Sequence, residues 1–327
     1  MKKKILSGMR PTGKLHLGHL VGALKNWSKL QDEYDCLFMV ADWHALMSEY
    51  KNPENLKEYA LDNVIDWISC GIDPEKSTLF IQSQVQEHLE LYMTLSCITP
   101  LGLLERCPTY KEQLRELKTR EVNNYAFLGY PVLQAADILL YKAEVVPVGE
   151  DQLPHLELTR ELSNRFNSNF KQQVFPEPQA MLTQFPRLLG LDGRKMSKSY
   201  DNYIGLSDDS DIIFAKVKTM ITDPKRIRKT DPGDPEVCNV HSYYKVFSDQ
   251  QMCATVEKQC QNAEIGCTDC KKRLGDILVK FLEPIQAKRK ELLNDKKIIL
   301  KILETGQEKA ATIAGATMKQ VRQAVGL

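Results

Sequence analysis

Two short segments carry side chains that answer to phosphate. His16-Leu17-Gly18-His19 follows an apolar run ending at Ser7-Gly8 and a turn through Pro11-Thr12-Gly13. A strand, a turn and a helix start, in that order, bring backbone N–H groups and the positive helix end to an anion. Gly18 has no side chain, so a base or ribose can lie against its backbone. His16 and His19, three apart, share one side of the first turn. The second segment, Lys195-Met196-Ser197-Lys198-Ser199, follows the turn signal Leu191-Asp192-Gly193-Arg194. Two lysines and two hydroxyls on such a hinge suit a loop that closes over a polyphosphate. A third group is made of sulfur. Five of the nine cysteines lie between Cys238 and Cys270, and Cys238, Cys260, Cys267 and Cys270 offer four soft donors. Such a set suits an iron–sulfur cluster or zinc (with His241 or Cys253 as alternative ligands), or stays as free thiols.

The elements that must position these groups follow from periodicity. Short β-type runs at Lys4–Ser7, Leu37–Ala41, Thr78–Ile81 and Glu144–Val148 alternate with helical patterns near Gly18–Leu30, Glu54–Cys70 and His88–Cys97. That alternation predicts an α/β fold, a Rossmann-like parallel sheet with helices on both faces. Residues 106–122 read as a charged, solvated or dimer-facing helix. Beyond Tyr200 only helical stretches are expected, at Asp209–Thr219, Ser242–Gln261, Cys270–Leu293 and Asp295–Leu327, so a smaller all-helical domain begins near residue 201. At 327 residues a sizeable buried core is expected, and a net charge of +1 leaves any nucleic-acid partner to local basic patches such as Lys271-Lys272-Arg273. The start, Met1-Lys2-Lys3-Lys4, has the charges of a signal peptide without the apolar stretch, and no run is long enough to span a membrane. A cytoplasmic protein with reduced thiols is the expectation.

Both phosphate segments, in this order on an α/β pattern, resemble the two signatures of class I aminoacyl-tRNA synthetases. Tyr130-Pro131-Val132-Leu133-Gln134-Ala135-Ala136-Asp137-Ile138-Leu139 and Val146-Pro147-Val148-Gly149-Glu150-Asp151-Gln152 narrow the resemblance to the tryptophanyl-tRNA synthetases, over nearly the whole chain. The residues agree with it. Pro131 suits the first turn of a helix, and Tyr130, Gln134 and Asp137 then fall on one face at i, i+4 and i+7. Indole has one N–H donor and no acceptor, which a carboxylate at Asp137 answers. Phenylalanine would leave that carboxylate partly unpaired, and sites of this kind reject such analogues by roughly 10⁴–10⁵-fold. Ring size and apolar walls at Leu6, Val146 and Val148 act against tyrosine.

The resemblance implies further roles. Tyr130 and Gln152 would hold the substrate ammonium, with His44 at the pocket border. Gly149, Glu150 and Asp151 would meet ATP, Leu188 would give backbone contacts to adenine, and Arg10-Pro11-Thr12 would lie along the phosphates and ribose, with Gly18 and Met196, Ser197 and Ser199 of the two signatures. Three positions depart from many relatives: Arg10 for Gln, Leu6 for Phe and Gln134 for Met. Mg²⁺ would bridge the phosphates, and His16, His19, Lys195 and Lys198 would stabilise the leaving pyrophosphate. No general base is needed, because the attacking carboxylate is already ionised. The product adenylate would pass its acyl group to tRNA(Trp). Residues 1–200 would be the catalytic domain. Residues 201–327 would bind the anticodon and carry a [4Fe–4S] cluster on the four cysteines, with the last helix packing back on the catalytic domain. A homodimer is also implied. Two other readings stay open: the tyrosine-specific sister enzyme, and a non-catalytic, redox-sensing RNA-binding relative.

Overall fold

The computed structural model describes residues 2–107, 124–182 and 188–327; the expected helix at 106–122 lies almost entirely outside them. Five parallel strands form one sheet in the order β3-β2-β1-β4-β5. β1 (Lys4–Met9) leads through the first turn into α1 (Leu17–His19), a π turn and α2 (Lys25–Leu30). β2 (Asp35–Val40), α3 (Asp42–Glu49), α4 (Leu56–Ser69) and β3 (Ser77–Ile81) extend the sheet to one edge. α5 (Glu87–Ser96), α6 (Leu101–Glu105) and α7 (Tyr125–Leu140) precede β4 (Val145–Val148), α8 (Leu153–Asn169) and β5 (Gln179–Leu182). The remainder is helical: α9 (Ser210–Thr219), α10 (Asn239–Phe247), α11 (Gln250–Gln261), α12 (Cys267–Asn294) and α13 (Lys296–Val325).

Strand alternation sorts the apolar residues to two sides. Ile5, Phe38, Val40 and Leu79 pack on the face shared with α2 and α4. Leu6, Leu37, Met39 and Phe80 pack on the other, beneath α5, α7 and α8. The chain leaves β1 for β2 on one side and joins β4 on the other. In an open α/β sheet such a reversal opens a crevice at the strands' carboxyl ends.

Several expectations are corrected. β5 has no apolar run to announce it: Gln179-Ala180-Met181-Leu182 is a half-buried edge strand. The helix 242–261 is two helices, because Asp249 caps the second by accepting from Met252 N. Pro131 is interior to α7 rather than in its first turn. Asn124, whose side chain accepts from Phe127 N, starts that helix earlier.

α13 covers the β3 edge of the sheet, which would otherwise offer unpaired backbone groups. Its first half contributes Ile299 and Leu303 to one core, its second half Ala310, Ala314, Met318 and Val321 to the other. Arg322 donates to both oxygens of Glu90 at 2.7 and 2.6 Å. The crossing depends on Gly306, where a Cβ would lie 1.8 Å from the Leu79 carbonyl oxygen. Gly306→Ala should therefore lower stability by about 3 kcal/mol. Gly315→Ala, whose Cβ meets nothing within 4 Å, should raise it by up to about 1 kcal/mol. Urea unfolding of the two variants checks the contrast.

Candidate active site

A cavity of about 380 Å³ opens at the carboxyl ends of β1 and β4, where the strand order reverses. β1 lends Leu6 and Arg10 just beyond it; β4 lends Val146, Val148 and Gly149; α7 lends Tyr130, Gln134 and Asp137 from one face. His44 and Gln152 complete its border. All eight residues expected around the amino acid thus share one cavity. Asp137 is 3% exposed, and its carboxylate is thoroughly engaged. His44 Nε2 donates to Oδ2 at 2.7 Å, while Gln82 Nε2 and His88 Nδ1 donate to Oδ1 at 2.7 Å each. Burial alone would raise its pKa; the His44 and His88 partners outweigh burial and hold it below the ordinary value.

The two phosphate segments meet at the start of α1. His16 is the N-cap: its Nδ1 accepts from Gly18 N at 3.1 Å, and His19 Nδ1 accepts from His16 N at 3.2 Å. With both Nδ1 atoms accepting, each ring carries its proton on Nε2. Burial, then Lys198 and Lys216, lower His16 to about 3; burial, then His16 and Lys198, put His19 well below its ordinary value. Both are neutral donors. Met196 Sδ lies 3.3 Å from Gly18 N. A Cβ on Gly18 would fall 2.9 Å from the His16 ring and 3.1 Å from that sulfur. Gly18 is thus needed for the close contact of two motifs, a reason beyond the expected approach of a nucleotide. Lys198 Nζ reaches over the turn to within 3.5 Å of where a Gly13 Cβ would stand. Burial and then repulsion from Arg10 lower Lys198 to about 8. Ser197 N donates to Asn202 Oδ1 at 2.8 Å, and Lys195 O accepts from Asn202 Nδ2 at 3.1 Å.

A description of tRNA synthetases class I (W and Y) matches residues 2–283. A tryptophan–tRNA ligase of Thermotoga maritima is 50% identical over 99% of both chains, and one of Ralstonia nicotianae is 41% identical over 99% of this chain and 98% of that protein. The chain belongs to the tryptophan–tRNA ligase family. In structure it is similar to the Campylobacter jejuni tryptophanyl-tRNA synthetase complexed with ADP and tryptophan, with a TM-score of 0.91, 33% identity, and coverage of 99% of this chain and 100% of that one. A tyrosyl-tRNA synthetase of Archaeoglobus fulgidus shares the fold alone, at 22% identity and a TM-score of 0.67, covering 88% of this chain and 90% of that one.

Within this family frame the remaining residues fall as follows. Pro11 and Thr12 follow β1, Leu188 is buried at the root of the second segment, and Glu150 and Asp151 form a 3₁₀ turn after Gly149. Gln82, His88, Tyr141 and His155 were not legible as site residues. His155 lines the cavity and meets the Tyr130 hydroxyl at 3.0 Å and Cys107 Sγ at 3.7 Å. Its one signal is the spacing of three from Gln152.

The cysteines of the helical region are neighbours. Burial, then the charges of Cys238, Cys260 and Cys267, push the Cys270 thiol up to about 11 against a hydrogen bond with Tyr244. Cys253 instead meets His241 Nε2 at 3.6 Å. Among the described residues no three His, Cys, Asp or Glu side chains form a ready metal cage, so the expected ligand set is adjacent without being closed.

Burial lowers His155 from 6.5 to about 4. Between those values the unfolded chain binds the extra proton, so this group destabilises the fold as pH falls from about 6.5 to about 4. His155→Gln should remove up to one proton from the pH dependence of urea-unfolding free energy in that window.

Proposed function

We propose that this chain activates L-tryptophan with ATP and passes the tryptophanyl group to tRNA(Trp), with the β1–β4 cavity as the amino-acid site. The observation that carries the reading is Asp137: a buried, ionised carboxylate on the cavity wall, suited to one N–H donor in apolar surroundings. Leu6, Val146 and Val148 would flank the indole; Tyr130, Gln134 and Gln152 would meet the ammonium, with His44 beside Asp137. Arg10, Pro11 and Thr12 would run along ribose and phosphates. Gly149, Glu150, Asp151 and the Leu188 backbone would meet the nucleotide, as would Gly18, Met196, Ser197 and Ser199.

The tryptophan carboxylate attacks the α-phosphorus, and the bond to pyrophosphate breaks. The protein's work is alignment and stabilisation of negative charge on the leaving group. His16 and His19 do this as neutral Nε2–H donors, Lys195 and Lys198 as cations. Mg²⁺ arrives on the phosphate oxygens as part of the substrate. Residues 1–200 would form the catalytic domain and 201–327 the anticodon-binding domain. Met93, Leu101 and Tyr125, 63%, 63% and 71% exposed around α5–α7, support a homodimer through that side. Among the described residues no helix is long and apolar enough to cross a membrane. Nine cysteines, none of them in a disulfide, are in keeping with the cytoplasm.

Pyrophosphate exchange into ATP, run with each standard amino acid, tests the reading. Tryptophan alone should drive it; exchange driven by tyrosine instead would end the proposal. Lys195→Ala should slow activation roughly 10²–10³-fold while tryptophan affinity stays within a few-fold. A binding defect with normal single-turnover chemistry would remove Lys195 from its role.

The four soft donors Cys238, Cys260, Cys267 and Cys270 are near neighbours without a closed cage, and we propose that they take a [4Fe–4S] cluster in preference to zinc. Such a cluster would supply a structural brace, and these thiols would hold it beside Lys271, Lys272 and Arg273 for RNA phosphates. Protein purified without oxygen should be brown and contain iron. Colourless protein with stoichiometric zinc would decide for zinc.

A further inference from the structure

Behind Asp137 lies a second layer that the reaction does not touch. His88 and Tyr141 are both fully buried, and Gln82 with them. Gln82 Oε1 accepts from Trp43 N at 3.1 Å, which turns its Nε2 toward Asp137. His88 Nε2 and the Tyr141 hydroxyl are 2.8 Å apart, and among the described residues that hydroxyl has no other hydrogen-bond acceptor. Its proton therefore goes to His88 Nε2, and the ring's own proton sits on Nδ1. That proton is the one donated to Asp137 Oδ1. An ionised carboxylate has about four acceptor sites. Gln82 and His88 take both on Oδ1, and His44 takes one on Oδ2. Among the described residues one site is left, on the oxygen beside the cavity-lining His44.

We infer that His88 and Tyr141 are positioning residues for amino-acid specificity: Tyr141 fixes the Nδ1–H tautomer of His88, which holds Asp137 with a single acceptor site for a single N–H. This deepens the reading of the cavity as a tryptophan site and rests on it. A hydroxyl lost at Tyr141 frees the imidazole to turn or change tautomer. Asp137 then loses a donor on Oδ1, and its orientation and open site are no longer fixed.

The test is pyrophosphate exchange by the full-length enzyme with tryptophan and with its benzothiophene isostere, which keeps the bicyclic outline and replaces N–H by sulfur. The unmodified enzyme should prefer tryptophan in kcat/KM; no preference would overturn the Asp137 reading and the relay together. Tyr141→Phe and His88→Leu should each cut that preference about tenfold, the scale of one misdirected hydrogen bond. The change should fall on KM for tryptophan, with KM for ATP and kcat for the isostere within about twofold. His88→Asn, which keeps a short N–H donor, should recover part of the preference. A preference intact in Tyr141→Phe would overturn the relay and leave Asp137 in place. Tyr141→Phe removes one oxygen atom, so it decides the matter even if His88→Leu does not fold.

Discussion

A carboxylate held almost out of water costs several kcal/mol unless donors replace its hydration, and the amino-acid half of the site is organised around that constraint. Asp137 reaches the cavity from the last turn of α7, a helix otherwise buried along most of its length. Its donors come from three different places: His44 on α3, Gln82 in the turn just past β3, and His88 on α5. Removing any one leaves a charge underpaired in low dielectric, so α3, β3, α5 and α7 are tied to a common register. The same requirement that secures the packing keeps the carboxylate charged and accepting. On the proposed reading, stability and recognition draw on one set of bonds.

The nucleotide half is built on the opposite logic. There the exposed N–H groups of a helix start are answered internally, by His16 and His19. The two rings accept through Nδ1 and so keep Nε2–H as their donors. The rings lie 3.8 Å apart at their centroids, a spacing that two imidazolium ions would oppose and two neutral rings allow. The positive charge stays with lysines on the second segment. Charge and hydrogen-bond direction thus come from different segments, which the proposed reaction would use together on one leaving group.

The sequence made the sheet readable because its strands are apolar and the helices between them periodic; β5, short and half-exposed, offered neither signal. The segments around His16 and Lys195 were legible as a pair because glycine, histidine and lysine at those spacings have few purely structural uses in combination. Their mutual contact was not, since nothing local relates Gly18 to a methionine 178 positions away. Asp137 was legible as a polar residue sharing a face with Tyr130 and Gln134. Its partners were hidden for the converse reason. Gln82, His88 and Tyr141 stand in segments whose periodicity is that of ordinary core, and their polarity acquires meaning only once three elements converge. The misreading of Pro131 has the same origin, because Asn124 could start the helix earlier while α7 tolerates a missing N–H within a packed core.

The second segment is suspended between the sheet and the helical region, and contacts on both sides hold it. Its root is held by bonds to α10: Asn239 donates to Gly190 O at 2.7 Å and the Tyr243 hydroxyl to Leu189 O at 2.6 Å. Leu191 O accepts from Ile221 N, just beyond α9, at 3.0 Å. Below it, Arg289 on α12 reaches Asp62 and Asp66 on α4 in a buried ion pair, and Lys25 on α2 lies 5.5 and 5.0 Å over the rings of Phe247 and Phe281. Buried ionic contacts resist sliding because a broken pair leaves a charge without partner or water. The helical region is thus fastened to the sheet at several points, and the segment bearing Lys195 and Lys198 is held at its root by α10 and at Met196 by contact with Gly18.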